Sequence, residues 1–118
     1  MNACSHVAAG IVHIKGNAQG IGYYQRGGQI IIDGNVTNHA GIKMQNGYLC
    51  INGTFSDSSI SLGSESTGGT IYARQVKGDI GELVGAKVTI HTDDLQGEII
   101  RSCKANILVK GKRIWPPQ

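Results

Sequence analysis

Three stretches of this 118-residue chain hold residues of the types that chemistry requires. Gly63-Ser64-Glu65-Ser66-Thr67-Gly68 is the nearest approach to the G-x-S-x-G elbow of a serine hydrolase, with His6, His13, His39, His91, Asp57, Asp93 and Asp94 available as partners. Neither serine has glycine at both flanking positions, so the stretch reads as the loop that absorbs a long repeat spacing, with an esterase-like site as the alternative. Asp93-Asp94 has the make-up of a paired-carboxylate acid/base site, in which one carboxyl stays protonated because its neighbour is charged. Adjacent residues of a strand point to opposite faces, so the pair is read as a turn before Leu95-Gln96-Gly97. The glycine-rich run Gly16 to Gly28 lacks the lysine and hydroxyl of a phosphate loop, and no helix follows it to receive an anion.

The remaining ligand types are scattered. Four histidines and the cysteines Cys4, Cys50 and Cys103 stand singly, without the short spacing that brings two side chains onto one ion. No catalytic, cofactor-binding or metal-binding residue is assigned from the sequence, and no cofactor is expected. Three cysteines outside any C-x-x-C arrangement suit a reduced, cytoplasmic setting. No apolar run approaches the roughly 20 residues that cross a bilayer, so no membrane partner is expected. The net charge of +3 belongs to residues 73 to 118, where Lys104, Lys110, Lys112 and Arg113 cluster near Trp115. Only that one aromatic is present for stacking, so the cluster reads as a solvated end, and nucleic acid is not the expected partner.

What must position these residues is a repeat. A glycine or alanine followed by alternating apolar residues occurs at Gly10-Ile11-Val12-His13-Ile14, Gly28-Gln29-Ile30-Ile31-Ile32, Gly47-Tyr48-Leu49-Cys50-Ile51, Gly69-Thr70-Ile71-Tyr72-Ala73, Ala86-Lys87-Val88-Thr89-Ile90 and Ala105-Asn106-Ile107-Leu108-Val109. These starts lie 18, 19, 22, 17 and 19 residues apart. A fixed period marks units that bury their apolar sides only by stacking. Alternation of period two makes each phrase a strand, and about 19 residues is too short for a strand with a return helix, which needs roughly 30. The expected architecture is therefore all-β: one domain over residues 1–118, a right-handed parallel β-helix of about six coils.

The inward residues are then Val12/Ile14, Ile30/Ile32, Leu49/Ile51, Ile71/Ala73, Val88/Ile90 and Ile107/Val109, and the outward ones His13, Ile31, Cys50, Tyr72, Thr89 and Leu108. Three of those six outward residues are apolar, which points to a covered face. Ala18, Val36 and Phe55 make a second inward column, and Asn17, Asn35 and Thr54 stack at a corner. Eighteen glycines against two prolines fit corners of such a coil.

The grammar carried by Gly16, Asn17, Gly20, Gly22, Gly27, Gly28, Gly34, Asn35, Gly41, Gly47, Gly53, Gly68 and Gly69 resembles the GXGXG repeat domain, found at the C-terminus of the glutamate synthase large subunit and in one of the subunits of formylmethanofuran dehydrogenase. The likeness is strong from Gly10 to Tyr72, and beyond Ala73 only the apolar columns continue. A methionine that the family often places before its paired glycines falls at Tyr24 in the first unit and Met44 in the second, and one paired glycine is Asn46. The resemblance implies a non-catalytic scaffold that positions the catalytic partners of a larger oxidoreductase, with protein subunits or further copies of the chain as partners. A self-assembling, bactofilin-like structural protein is the alternative from another class, and a small esterase-like hydrolase the third.

Overall fold

The computed structural model describes residues 2–3, 7–56, 62–80, 82–100 and 102–115; the side chains of residues 2–3 are not described. Its strands are β1 (Asn2–Ala3), β2 (Ile11–Ile14), β3 (Ala18–Ile21), β4 (Gln29–Ile32), β5 (Val36–Ala40), β6 (Tyr48–Ser56), β7 (Gly69–Lys77), β8 (Val88–Leu95), β9 (Asn106–Val109) and β10 (Lys112–Trp115). Every pairing among β1 to β9 is parallel, and the described residues contain no α-helix, hence none that could cross a membrane. This is the expected β-helix, drawn out to 36 × 25 × 23 Å. It completes about five turns rather than six. The sixth phrase, from Ala105, builds only one face of a coil before Lys110 and Gly111, both at positive φ, reverse the chain into β10.

Burial follows the alternation. Ile30, Leu49, Ile71, Ile90 and Ile107 stack in one inward column, and Ile32, Ile51, Ala73 and Thr92 in the next, all of them inaccessible to solvent. Val36, Phe55 and Val76 form the column after the corner. Burying each large aliphatic side chain contributes about 1.5–3 kcal/mol, and stacking repeats that gain rung by rung.

The register of β8 differs from expectation. Ile71 stands over Ile90 and Ala73 over Thr92, which leaves Val88 level with Gly69. A two-residue slip keeps every side chain on its own face, so alternation does not distinguish the two registers. Thr92 enters the core because its hydroxyl has backbone oxygens in reach, that of Arg74 at 3.3 Å and that of Asp94 at 3.2 Å. The outward residue of this rung is accordingly His91, not Thr89. Asp93 and Asp94 lie within the bounds of strand β8, Asp94 at the corner of the coil level with Gln75.

Two further corrections concern the return stretch of each coil. The residue level with Met44 is Gln25, since the Gln45 N–H donates to the Gln25 carbonyl; Tyr24 lies one position earlier, level with Lys43. The column Gln25, Met44, Ser66, Val84 and Cys103 is buried throughout. Gly63 to Gly69 also matches Gly41 to Gly47 in length, so it does not absorb the long spacing. The extra residues fall between Ser56 and Leu62, where 57–61, including Asp57, lie outside the described residues.

The corner stack is present, with a chemistry other than amide on amide. The Asn17 side-chain carbonyl accepts from the Asn35 N–H at 2.7 Å, and that of Asn35 accepts from the Thr54 N–H at 2.8 Å. Thr54 then donates to Gln75 at 2.9 Å, and Gln75 to Asp94 at 2.8 Å. Gly34 and Gly53 precede these positions because the chain passes so close to the coil above: a β-carbon on Gly34 would collide with the Gly16 carbonyl and the Asn17 side chain, and one on Gly53 with the Gly34 carbonyl and Asn35.

Candidate functional site

The broadest surface with regular chemistry is the outer side of the first face, built by β2, β4, β6, β7, β8 and β9. Alternation turns His13, Ile31, Cys50, Tyr72, His91 and Leu108 outward, and parallel pairing sets each directly over the next. Rungs repeat about every 4.8 Å, so these side chains form one straight strip. Ile31, Tyr72, His91 and Leu108 are half-buried against their neighbours, and Cys50 is buried. Tyr48 stands beside Cys50 on the same side of the sheet.

A polar seam borders the strip. His13 Nε2 and Asp33 Oδ2 are 2.8 Å apart, the Asn52 side chain donates to the other oxygen of Asp33 at 3.3 Å, and the Cys50 thiol donates to the Asn52 side-chain carbonyl at 3.3 Å. The hydrogen bond from His13, assisted by Asn52, holds the Asp33 carboxyl below its usual range. Burial pushes the Cys50 thiol up, and it pushes Tyr48 up to about 12. A thiol held protonated is the reverse of an activated nucleophile, so this imidazole, carboxylate, amide and thiol series orders the surface rather than preparing Cys50 for attack. Farther along, the Tyr72 hydroxyl donates to Asp93 at 2.8 Å, and its ring meets His91 edge-on with centroids 5.6 Å apart. Burial first, then Asp93, raises the Tyr72 hydroxyl.

Among the described residues, those singled out for hydrolysis are not assembled. Ser66 is inaccessible, its hydroxyl donating to the Gly41 carbonyl at 2.6 Å while accepting from the Met44 N–H at 3.1 Å. Ser64 is buried. The described histidines sit elsewhere: His13 on Asp33, His39 edge-on to Tyr23 at 5.8 Å, and His91 on Tyr72. Asp93 and Asp94 take different partners, the first bound to Tyr72 and the second to Gln75 and Gln96. His6 and Cys4 lie outside the described residues. Among the described residues no three His, Cys, Asp or Glu side chains are placed to hold a metal ion. Lys104, Lys110, Lys112 and Arg113 are exposed around the last rung.

Two features escaped the sequence reading. Tyr24, Lys43, Glu65 and Leu83 occupy equivalent places with φ of 58, 54, 60 and 55°, a left-handed column without one glycine. Its members interact, Lys43 donating to the Tyr24 hydroxyl at 3.1 Å and lying 5.3 Å from that ring's centroid. The other is the side chain of Gln25, whose amide nitrogen donates to the carbonyls of Gly27, Gly28 and Tyr48 at 3.1–3.3 Å. The repeated place before the paired glycines was its available signal. Comparison with protein-family models, with curated proteins and with solved structures finds no match to this chain.

Proposed function

We propose that the chain is a non-catalytic β-helical subunit or module that holds catalytic partners in position, in the manner implied by its likeness to the GXGXG repeat domain of glutamate-synthase-like and formylmethanofuran-dehydrogenase-like oxidoreductases. The single observation that supports this is the strip Ile31, Cys50, Tyr72, His91 and Leu108 with Tyr48 beside it. Rigid aromatic and aliphatic groups at one-rung intervals, bordered by a polar seam, suit the centre of a protein interface. The backbone beneath is tied coil to coil, so a partner ordering itself on this strip meets a surface that has little freedom to lose.

Affinity capture of the tagged chain from native cells, followed by identification of retained subunits, tests the reading. Capture of amidotransferase-, flavin- or molybdenum-subunit proteins that is lost with Tyr72→Arg is the expected result. A chain always recovered alone would count against it.

A further inference from the structure

The two ends of the rod are built differently. At the C-terminal end β10 lies antiparallel on β9, with a bulge between Arg113 and Trp115, and the Trp115 indole donates to the Cys103 carbonyl at 2.8 Å. A short, bulged edge carrying Lys112 and Arg113 resists another strand. At the other end β2 pairs β4 in unbroken register, and no described strand lies against its outer side. The Gly10 and Ile14 carbonyls accept from Gln29 and Asp33 of the next rung, so the N–H and C=O groups of Ile11 and His13 point away from the rod. Val12 and Ile14 head the inward columns yet are only half-buried, whereas Ile30 and Ile32 one rung below are fully so; Ile11 is 70% exposed.

We propose that β2 is the interface of a closed dimer in which two copies of this chain meet end to end through their first coils. β10 resists a further strand, whereas the unbroken backbone row of β2 is matched by the same row on a second copy. A helical ramp turned over by a twofold axis perpendicular to its length matches itself, so the one-strand step between β1 and β2 is accommodated. β1 stands about half a coil before Val12, which puts that step diametrically opposite Val12. With the axis at Val12, the strands run antiparallel and Val12 faces its own copy inside the joined core. Ile11 then pairs with the His13 of the second copy, and every outward-pointing group of both residues is bonded. The alternative centred on His13 would set two histidines together and place Ile11 against Lys15. The rod is roughly 25 by 23 Å across, which offers on the order of 450 Å² per copy, the size of a weak, reversible interface. Such a dimer leaves the strip from Ile31 to Leu108 free, so it stands or falls independently of the scaffold role.

Sedimentation equilibrium of the 118-residue chain from about 1 µM to about 1 mM tests the proposal, the expected result being a rise from one copy to two that stops there. Ile11→Lys, at an exposed position, should weaken association at least about tenfold with an unchanged circular dichroism spectrum and melting temperature. Val12→Cys in a Cys4→Ser background should yield a covalent dimer under mild oxidation, and Thr37→Cys in the same background should not. A monomer throughout the range, growth beyond two copies, or an Ile11→Lys chain that associates as the parent does would each overturn it.

Discussion

Ser66 illustrates how a residue with catalytic credentials serves the coil instead. Its hydroxyl satisfies one donor and one acceptor in the neighbouring coil, at a place in its column between Met44 and Val84. Removing it in Ser66→Ala leaves both buried groups unpaired, and urea denaturation should show a loss of about 1–3 kcal/mol. Leu83 presents the opposite case, 62% exposed and at φ 55°. Asparagine tolerates that conformation better than leucine, so Leu83→Asn should gain up to about 1 kcal/mol by the same measurement. Ionisation is also a residue-scale matter. Asp33 and Asp94 both have depressed folded pKa values, Asp33 through His13 first and Asp94 through Gln75 first. Their contribution is complete above the ordinary value of 3.8 and fades as pH falls through the lower folded values. Tyr48 has the reverse sign: its folded pKa is raised to about 12 from 10.0, so stability is lost as pH climbs through that interval. Melting temperature against pH should decline at both extremes, and Tyr48→Phe should blunt the alkaline fall.

Among the elements, the corner running from Asn17 through Asn35, Thr54 and Gln75 to Asp94 decides how successive coils are tied. The asparagine carbonyl reaches the backbone N–H of the next rung, a geometry available to no aliphatic side chain of that length. Asn35→Ala should cost about 0.5–1.5 kcal/mol, because the exposed Thr54 N–H then bonds to water instead. Gly34→Ala should cost considerably more, since the added methyl meets backbone with no room to move. The position of this corner was legible in the spacing of Asn17, Asn35 and Thr54. Its last two members were not, because Gln75 and Asp94 share only hydrogen-bonding capacity with asparagine and lie beyond the three-residue excess.

As a whole the molecule is a rod whose two ends are built differently. β10 turns the last parallel rung into an antiparallel edge, and Trp115 packs against the core beside it. Ending the chain after Gly111 would expose β9 as a bare parallel edge, and light scattering should then show species that keep growing with concentration, where the parent chain reaches a limit.

That the chain is a β-helix was legible in its residues alone: the period near 19 residues and the alternation within each phrase are repetitive signals, and repetition accumulates from coil to coil. Equally legible were the inward columns of the first three coils and the asparagine corner, which depend on residue type at constant spacing. The register of β8, the place of Gln25 beneath Met44, the left-handed column at Tyr24 and the contrast between the two ends emerge only when the coils are packed together. The physical reason is common to all four. A shift of two residues, a positive φ without glycine and a strand that reverses at the end leave the local alternation untouched, and only the packing of one coil on another distinguishes among them.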